Sequence, residues 1–136
     1  MWVEYYELDN GICHQIIEAG ELSPNEDFVS AIKAEVSRYV SWREGERDAP
    51  HVGGSGRTND FWGEHICKII ELYESFGGTY GLGRKNVDGS VGSPFLNFAT
   101  AVNDALPQEY RRVTVNKWEF ALAIRRARQN SKKLIG

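Results

Sequence analysis

The sequence predicts a mostly α-helical fold, a compact bundle of about four helices with a small N-terminal β-hairpin. Three observations carry this expectation. Apolar residues recur at spacings of three and four in several windows, Ser-Pro pairs open two of those windows, and glycine clusters separate them. The chain has 136 residues, 41% of them apolar and 26% charged, which suits one domain over 1–136 with a packed core and excludes a disordered chain.

The hairpin is placed at 1–20. Two short apolar runs, Val3 to Leu8 and Ile12 to Ala19, flank Asp9-Asn10-Gly11, and Asn-Gly supplies the positive φ values of a tight turn. The first helix is placed at 23–44. Ser23 is the expected cap, Pro24 the first helical residue, and Glu26 the acid that reaches back to the cap. Its apolar stripe is Phe28, Ile32, Val36 and Tyr39, joined by Val29 and Val40. Residues 45–58 carry Pro50 and glycines 53, 54 and 56 and read as a loop.

A second helix is expected at 59–76, capped by Thr58 or Asn59, with Phe61, Trp62, Ile66, Ile69, Ile70, Tyr73 and Phe76 in helical spacing and Gly77-Gly78 as the stop. Residues 77–92 read as a second glycine-rich loop. Ser93-Pro94 opens a third helix over 93–106, stopped by Pro107. The last helix is placed at 115–129, capped by Thr114, with Trp118, Ala121 and Leu122 on one side and Phe120 and Ile124 on another. The expected core packs the Phe28 stripe against Phe61, Ile66, Ile69 and Tyr73, and against the faces of Phe95/Val102 and Trp118/Leu122.

Charge is unevenly spread. Residues 1–48 carry a net −7 and residues 49–110 a net −3, whereas residues 111–136 carry +7. The basic end holds Arg111, Arg112, Lys117, Arg125, Arg126, Arg128, Lys132 and Lys133 against the single acid Glu119. These eight residues are the candidate contacts to nucleic acid or to an acidic partner. A helix-turn-helix reading of the last two helices is weakened by the eight residues from Pro107 to Thr114, where such a turn has about three or four.

No window has the roughly 18–20 consecutive apolar residues of a membrane span. The first twenty residues lack a basic start followed by an apolar stretch, and two cysteines make no disulfide framework, so a cytoplasmic, reducing setting is expected.

Candidate chemistry is sparse. Cys13-His14 and His65-x-Cys67 offer zinc donors, but adjacent residues, or residues two apart on a helix, point in different directions and do not readily close a tetrahedron. Gly77 to Lys85 resembles an anion-holding nest, with Arg84 and Lys85 as its possible ligands, yet it matches neither GxxxxGK[ST] nor GxGxxG. Among the histidines, His51 lies beside Gly54-Ser55-Gly56 with no residue evident to orient it for catalysis, and an enzyme would use His51 or His65 with the two glycine-rich loops as lids. Carboxylate pairs such as Glu71 and Glu74 read as solvated helix faces. No metal and no cofactor are expected.

The residues therefore favour a non-enzymatic binding module, a regulator or inhibitor docking onto a larger protein or nucleoprotein complex. The alternatives are a nucleic-acid-binding protein that uses the basic C-terminal helix, and, less favoured, a small enzyme acting on a phosphorylated ligand at the glycine-rich loops. A protein partner is expected, nucleic acid is a second option, and a membrane is not.

Overall fold

A computed structural model describes residues 7–48, 61–83 and 92–135. Among them are five α-helices and no strand: α1 (Asn10–Ala19), α2 (Glu26–Asp48), α3 (Phe61–Ser75), α4 (Pro94–Ala105) and α5 (Lys117–Ile135). A single 3-10 turn, Gln108–Tyr110, lies between α4 and α5. None of the described helices is long and apolar enough to cross a membrane.

The fold is a helical bundle organised around α3, which packs against α2, α4 and α5, while α1 packs against α2 and α4. Its centre is aromatic. Phe28 stacks on Phe76 with centroids 4.4 Å apart, and Phe98 meets both Phe28 and Tyr73. Trp62 of α3 meets Phe120 of α5 edge-on at 5.9 Å. The expected stripe of Phe28, Ile32, Val36 and Tyr39 is buried along its whole length.

The N-terminal hairpin is absent: residues 10–19 form α1, which makes five helices where four were expected. The Asp9 carboxylate accepts from the Gly11 amide, so Asp9-Asn10-Gly11 is a helix cap and not a hairpin turn. Cys13, Ile16, Ile17 and Gly20 are buried at helical spacing, and the adjacent isoleucines that spoil a strand alternation both fall inside this face. Residues 1–6, which include most of the proposed first strand, lie outside the described residues.

Two other caps move by two residues. Asn25, not Ser23, accepts from the Phe28 amide at 2.8 Å and starts α2. Asn116, not Thr114, accepts from the Glu119 amide at 2.9 Å and starts α5. Asparagine caps as well as serine or threonine, so residue type alone did not separate the candidates. Helix α2 also runs through Gly45 to Asp48, and α5 runs past residue 129 to Ile135. The core side of α5 is set by Phe120, Ile124 and Ala127, with Trp118 and Leu122 only half-buried. Ser93 does cap α4 as expected, accepting from the Leu96 amide at 2.9 Å, with Pro94 in the first turn.

Helices α1 and α3 end in the same hydrogen-bond pattern. The Leu22 amide donates to the Ile17 carbonyl and the Glu21 amide to that of Glu18; the Gly78 amide donates to the Tyr73 carbonyl and the Gly77 amide to that of Glu74. These are Schellman ends, in which the first residue past the cap turns left-handed. Gly77 does so freely at φ +99°, whereas α1 places Glu21 there at φ +60°.

Candidate functional site

The basic C-terminal segment is divided into two places by the geometry of α5. The first is a groove between α4 and the start of α5, a cavity of about 460 Å³ lined by Asn103 and Asp104, Arg111 and Arg112, and Lys117 and Phe120, among others. The chain that crosses it is firmly held. The Asn103 side chain donates to the Arg112 carbonyl at 3.0 Å and accepts from the Arg112 amide at 2.9 Å. Arg111 Nε donates to the Leu106 carbonyl at 2.8 Å, which satisfies the end of α4. Tyr39 Oη reaches across from α2 to donate to the Tyr110 carbonyl at 3.1 Å.

From that anchored base the chain presents Val113 and Val115, whose surfaces are 83% and 94% exposed. The cations around them are partly engaged. Arg112 lies over the Trp62 ring, 5.1 Å from its centroid, and Lys117 Nζ donates to Asn97 Oδ1. Both remain at the surface, and Asp104 adds one negative charge to the same rim.

The second place is two to three turns along α5. At about 100° per residue, Arg125 and Arg128 fall on one flank and Arg126 on a different one. The Arg125/Arg128 flank meets Tyr80, Leu82 and Gly83 of the glycine-rich segment around a cavity of about 320 Å³. The Arg128 guanidinium sits 4.2 Å from the Tyr80 ring centroid. Arg125 and Arg126 are exposed and Arg128 is half-buried. Burial pushes the Tyr80 phenol above its ordinary value, with Arg128 and Arg125 opposing the shift. Lys132 and Lys133 stand on the last turns of α5, but their side chains, like Arg84, Lys85 and the whole of His51, lie outside the described residues.

A third polar cluster was not anticipated from sequence. Glu35 of α2 is 8% exposed and accepts three hydrogen bonds: one from His65 Nδ1 of α3 at 2.7 Å and two from the Arg38 guanidinium at 2.8 Å each. A carboxylate only accepts, so His65 carries its proton on Nδ1. His65 is 2% exposed and stacks on Tyr39 with centroids 4.2 Å apart. Burial pulls its pKa below the ordinary value, and Glu35 restores only part of it, so the ring is neutral near pH 7. Burial would raise the Glu35 pKa, but the hydrogen bonds from His65 and Arg38 outweigh it and hold it low. Glu35 and Arg38 edge a shallow surface depression between α2 and α3 that does not include His65. The cluster therefore acts as a polar clasp between two helices. A sequence signal exists only in hindsight, as an acid inside the apolar stripe of α2 and a histidine inside that of α3.

The two thiol–histidine pairs are not brought together. Cys13 is buried in α1 beside an exposed His14, whereas Cys67 of α3 lies 3.8 Å from the Ala127 carbonyl of α5. Among the described residues no three His, Cys, Asp or Glu side chains converge as a metal site would require. Compared with protein-family models, with curated proteins and with solved structures, the chain gives no match.

Proposed function

We propose that this chain is a non-enzymatic binding module, a regulator or inhibitor that docks an acidic protein segment with an apolar anchor on the groove between α4 and α5. The observation that carries this reading is the pair Val113 and Val115. The two valines stand two residues apart and over four-fifths exposed, on a chain held at its base by the paired hydrogen bonds between Asn103 and Arg112. Arg111, Arg112 and Lys117 line the groove together with Val113 against the single acid Asp104, which gives an apolar anchor in a rim of net positive charge and favours an acidic partner. The hydrogen bonds from Asn103 and Tyr39 fix the loop before binding, so little ordering entropy is lost on association.

A photo-crosslinker at Val115, used in the native host with and without nuclease, tests the reading. The expected result is one acidic protein adduct that survives nuclease and disappears when Val113→Ser is added. Adducts that vanish with nuclease would support the nucleic-acid alternative, for which exposed Arg125 and Arg126 speak. In that case log affinity for DNA or RNA should fall with log salt by about 0.7–0.9 for each phosphate contacted.

A further inference from the structure

We propose that the cavity between the glycine-rich segment and α5 is a binding site for a small phosphate monoester, separate from the α4–α5 groove. Two guanidiniums one turn apart, Arg125 and Arg128, edge a space of about 320 Å³, and no carboxylate pairs with either among the described residues. Guanidinium forks match phosphoryl oxygens in geometry and charge. Gln129 adds a neutral amide on the same rim, and Leu82, itself buried, supplies an apolar wall. The volume stands at the lower end of the range for ligand cavities, which suits one phosphoryl group with one small apolar group and not a dinucleotide.

The wall facing α5 is built to hold its position. Gly83 has φ +73°, and a Cβ there would lie 2.1 Å from the Gly92 carbonyl oxygen, so the two segments touch backbone to backbone at this point. Ser93 Oγ donates to the Gly81 carbonyl at 2.6 Å and also accepts from the Leu96 amide, which ties the segment to the start of α4. The Tyr80 ring is fixed between Phe95, with centroids 5.1 Å apart, and the Arg128 guanidinium. Its phenol, pushed up by burial, stays protonated at neutral pH and can donate to a phosphoryl oxygen. A positioned cation, a donor and a rigid wall around one small space are the ingredients of a pre-formed anion site.

Calorimetric titration of the full chain with phenyl phosphate, inorganic phosphate and phenol at about 0.15 M salt tests this. Phenyl phosphate is expected to bind with a Kd of about 1 mM or tighter, inorganic phosphate more weakly, and phenol undetectably. Arg125→Gln, at an exposed position that the fold does not need, should weaken phenyl phosphate at least tenfold. Arg128→Gln should do the same, and Arg126→Gln should change it less than twofold. The proposal is overturned if the unaltered chain gives no binding at ten times that concentration. It is also overturned if inorganic phosphate binds as tightly as phenyl phosphate, or if Arg126→Gln weakens binding as much as Arg125→Gln. Lys117 lies about 12 Å from Arg125 along α5, at 1.5 Å per residue. Val113→Ser with Val115→Ser should therefore leave this titration unchanged, and the two binding readings fail separately.

Discussion

His65 Nδ1 donates to Glu35 Oε2 at 2.7 Å, joining the second turn of α3 to the central part of α2 through a bond that is almost wholly out of water. Arg38 closes the other side of the same carboxylate, so Glu35 is ionised, triply hydrogen-bonded and central to the α2–α3 contact. Replacing Glu35 by Gln keeps the shape but turns one of the two accepting oxygens into a donor, so at least one of the three bonds is lost and the others lose their charge. Chemical denaturation at pH 7 should show a loss of about 2–3 kcal/mol.

The same pair predicts acid sensitivity. Both groups titrate below their ordinary values of 6.5 for His65 and 4.5 for Glu35, so the unfolded chain takes up protons that the folded chain resists. The stability from His65 is complete above about pH 6.5 and is lost as the pH falls toward the folded pKa; that from Glu35 begins to fall only below about pH 4.5. Denaturant midpoints should therefore drop between pH 7 and pH 5 in the unaltered chain. In His65→Gln they should change less over that interval, and a slope equal to that of the unaltered chain would show that the histidine does not carry the effect.

Glu21 and Gly77 hold the same position in equivalent helix ends, and only one of them is glycine. A left-handed conformation costs a residue with a Cβ about 1–2 kcal/mol relative to glycine. Glu21→Gly is expected to raise stability by about 0.5–1 kcal/mol and Gly77→Ala to lower it by about 1 kcal/mol. Thermal melts of the two variants should move in opposite directions.

Gly83→Ala meets both a positive φ and a backbone oxygen. Backbone cannot rotate aside as a side chain can, so the contact with Gly92 should open and the loss should reach about 2 kcal/mol or more. Loss of the fixed wall should also weaken phenyl phosphate in the titration described above, although the substituted residue contributes no polar side chain.

Asn103→Ala removes both hydrogen bonds that hold Arg112. A cost of about 1–3 kcal/mol is expected, because the Arg112 amide and carbonyl lose their protein partner. Amide exchange over residues 111–116 should rise while that of α3 stays slow. Crosslinking through Val115 should fall with it if the loop must be fixed before it docks.

Local chemistry determined much of the molecule. The apolar stripes of α2, α3 and α4 follow from spacing alone, since a helix turns through about 100° per residue and buries whatever recurs at three and four. Ser93-Pro94 and Gly77-Gly78 mark helix ends because their backbones leave few other choices. The total of basic charge at the C-terminal end was equally legible. Tertiary contacts decided the rest. Asp9-Asn10-Gly11 is compatible with a turn or with a cap, and it became a cap because the face of Cys13, Ile16 and Ile17 found α2 and α4 to cover it. Glu35 and His65 are thirty residues apart, and no local pattern announces that they will share a proton-bearing bond. Arg125 and Arg128 became part of a cavity only because the chain folds Tyr80 and Gly83 back against α5, a pairing between segments more than forty residues apart that depends on how α3, α4 and α5 pack.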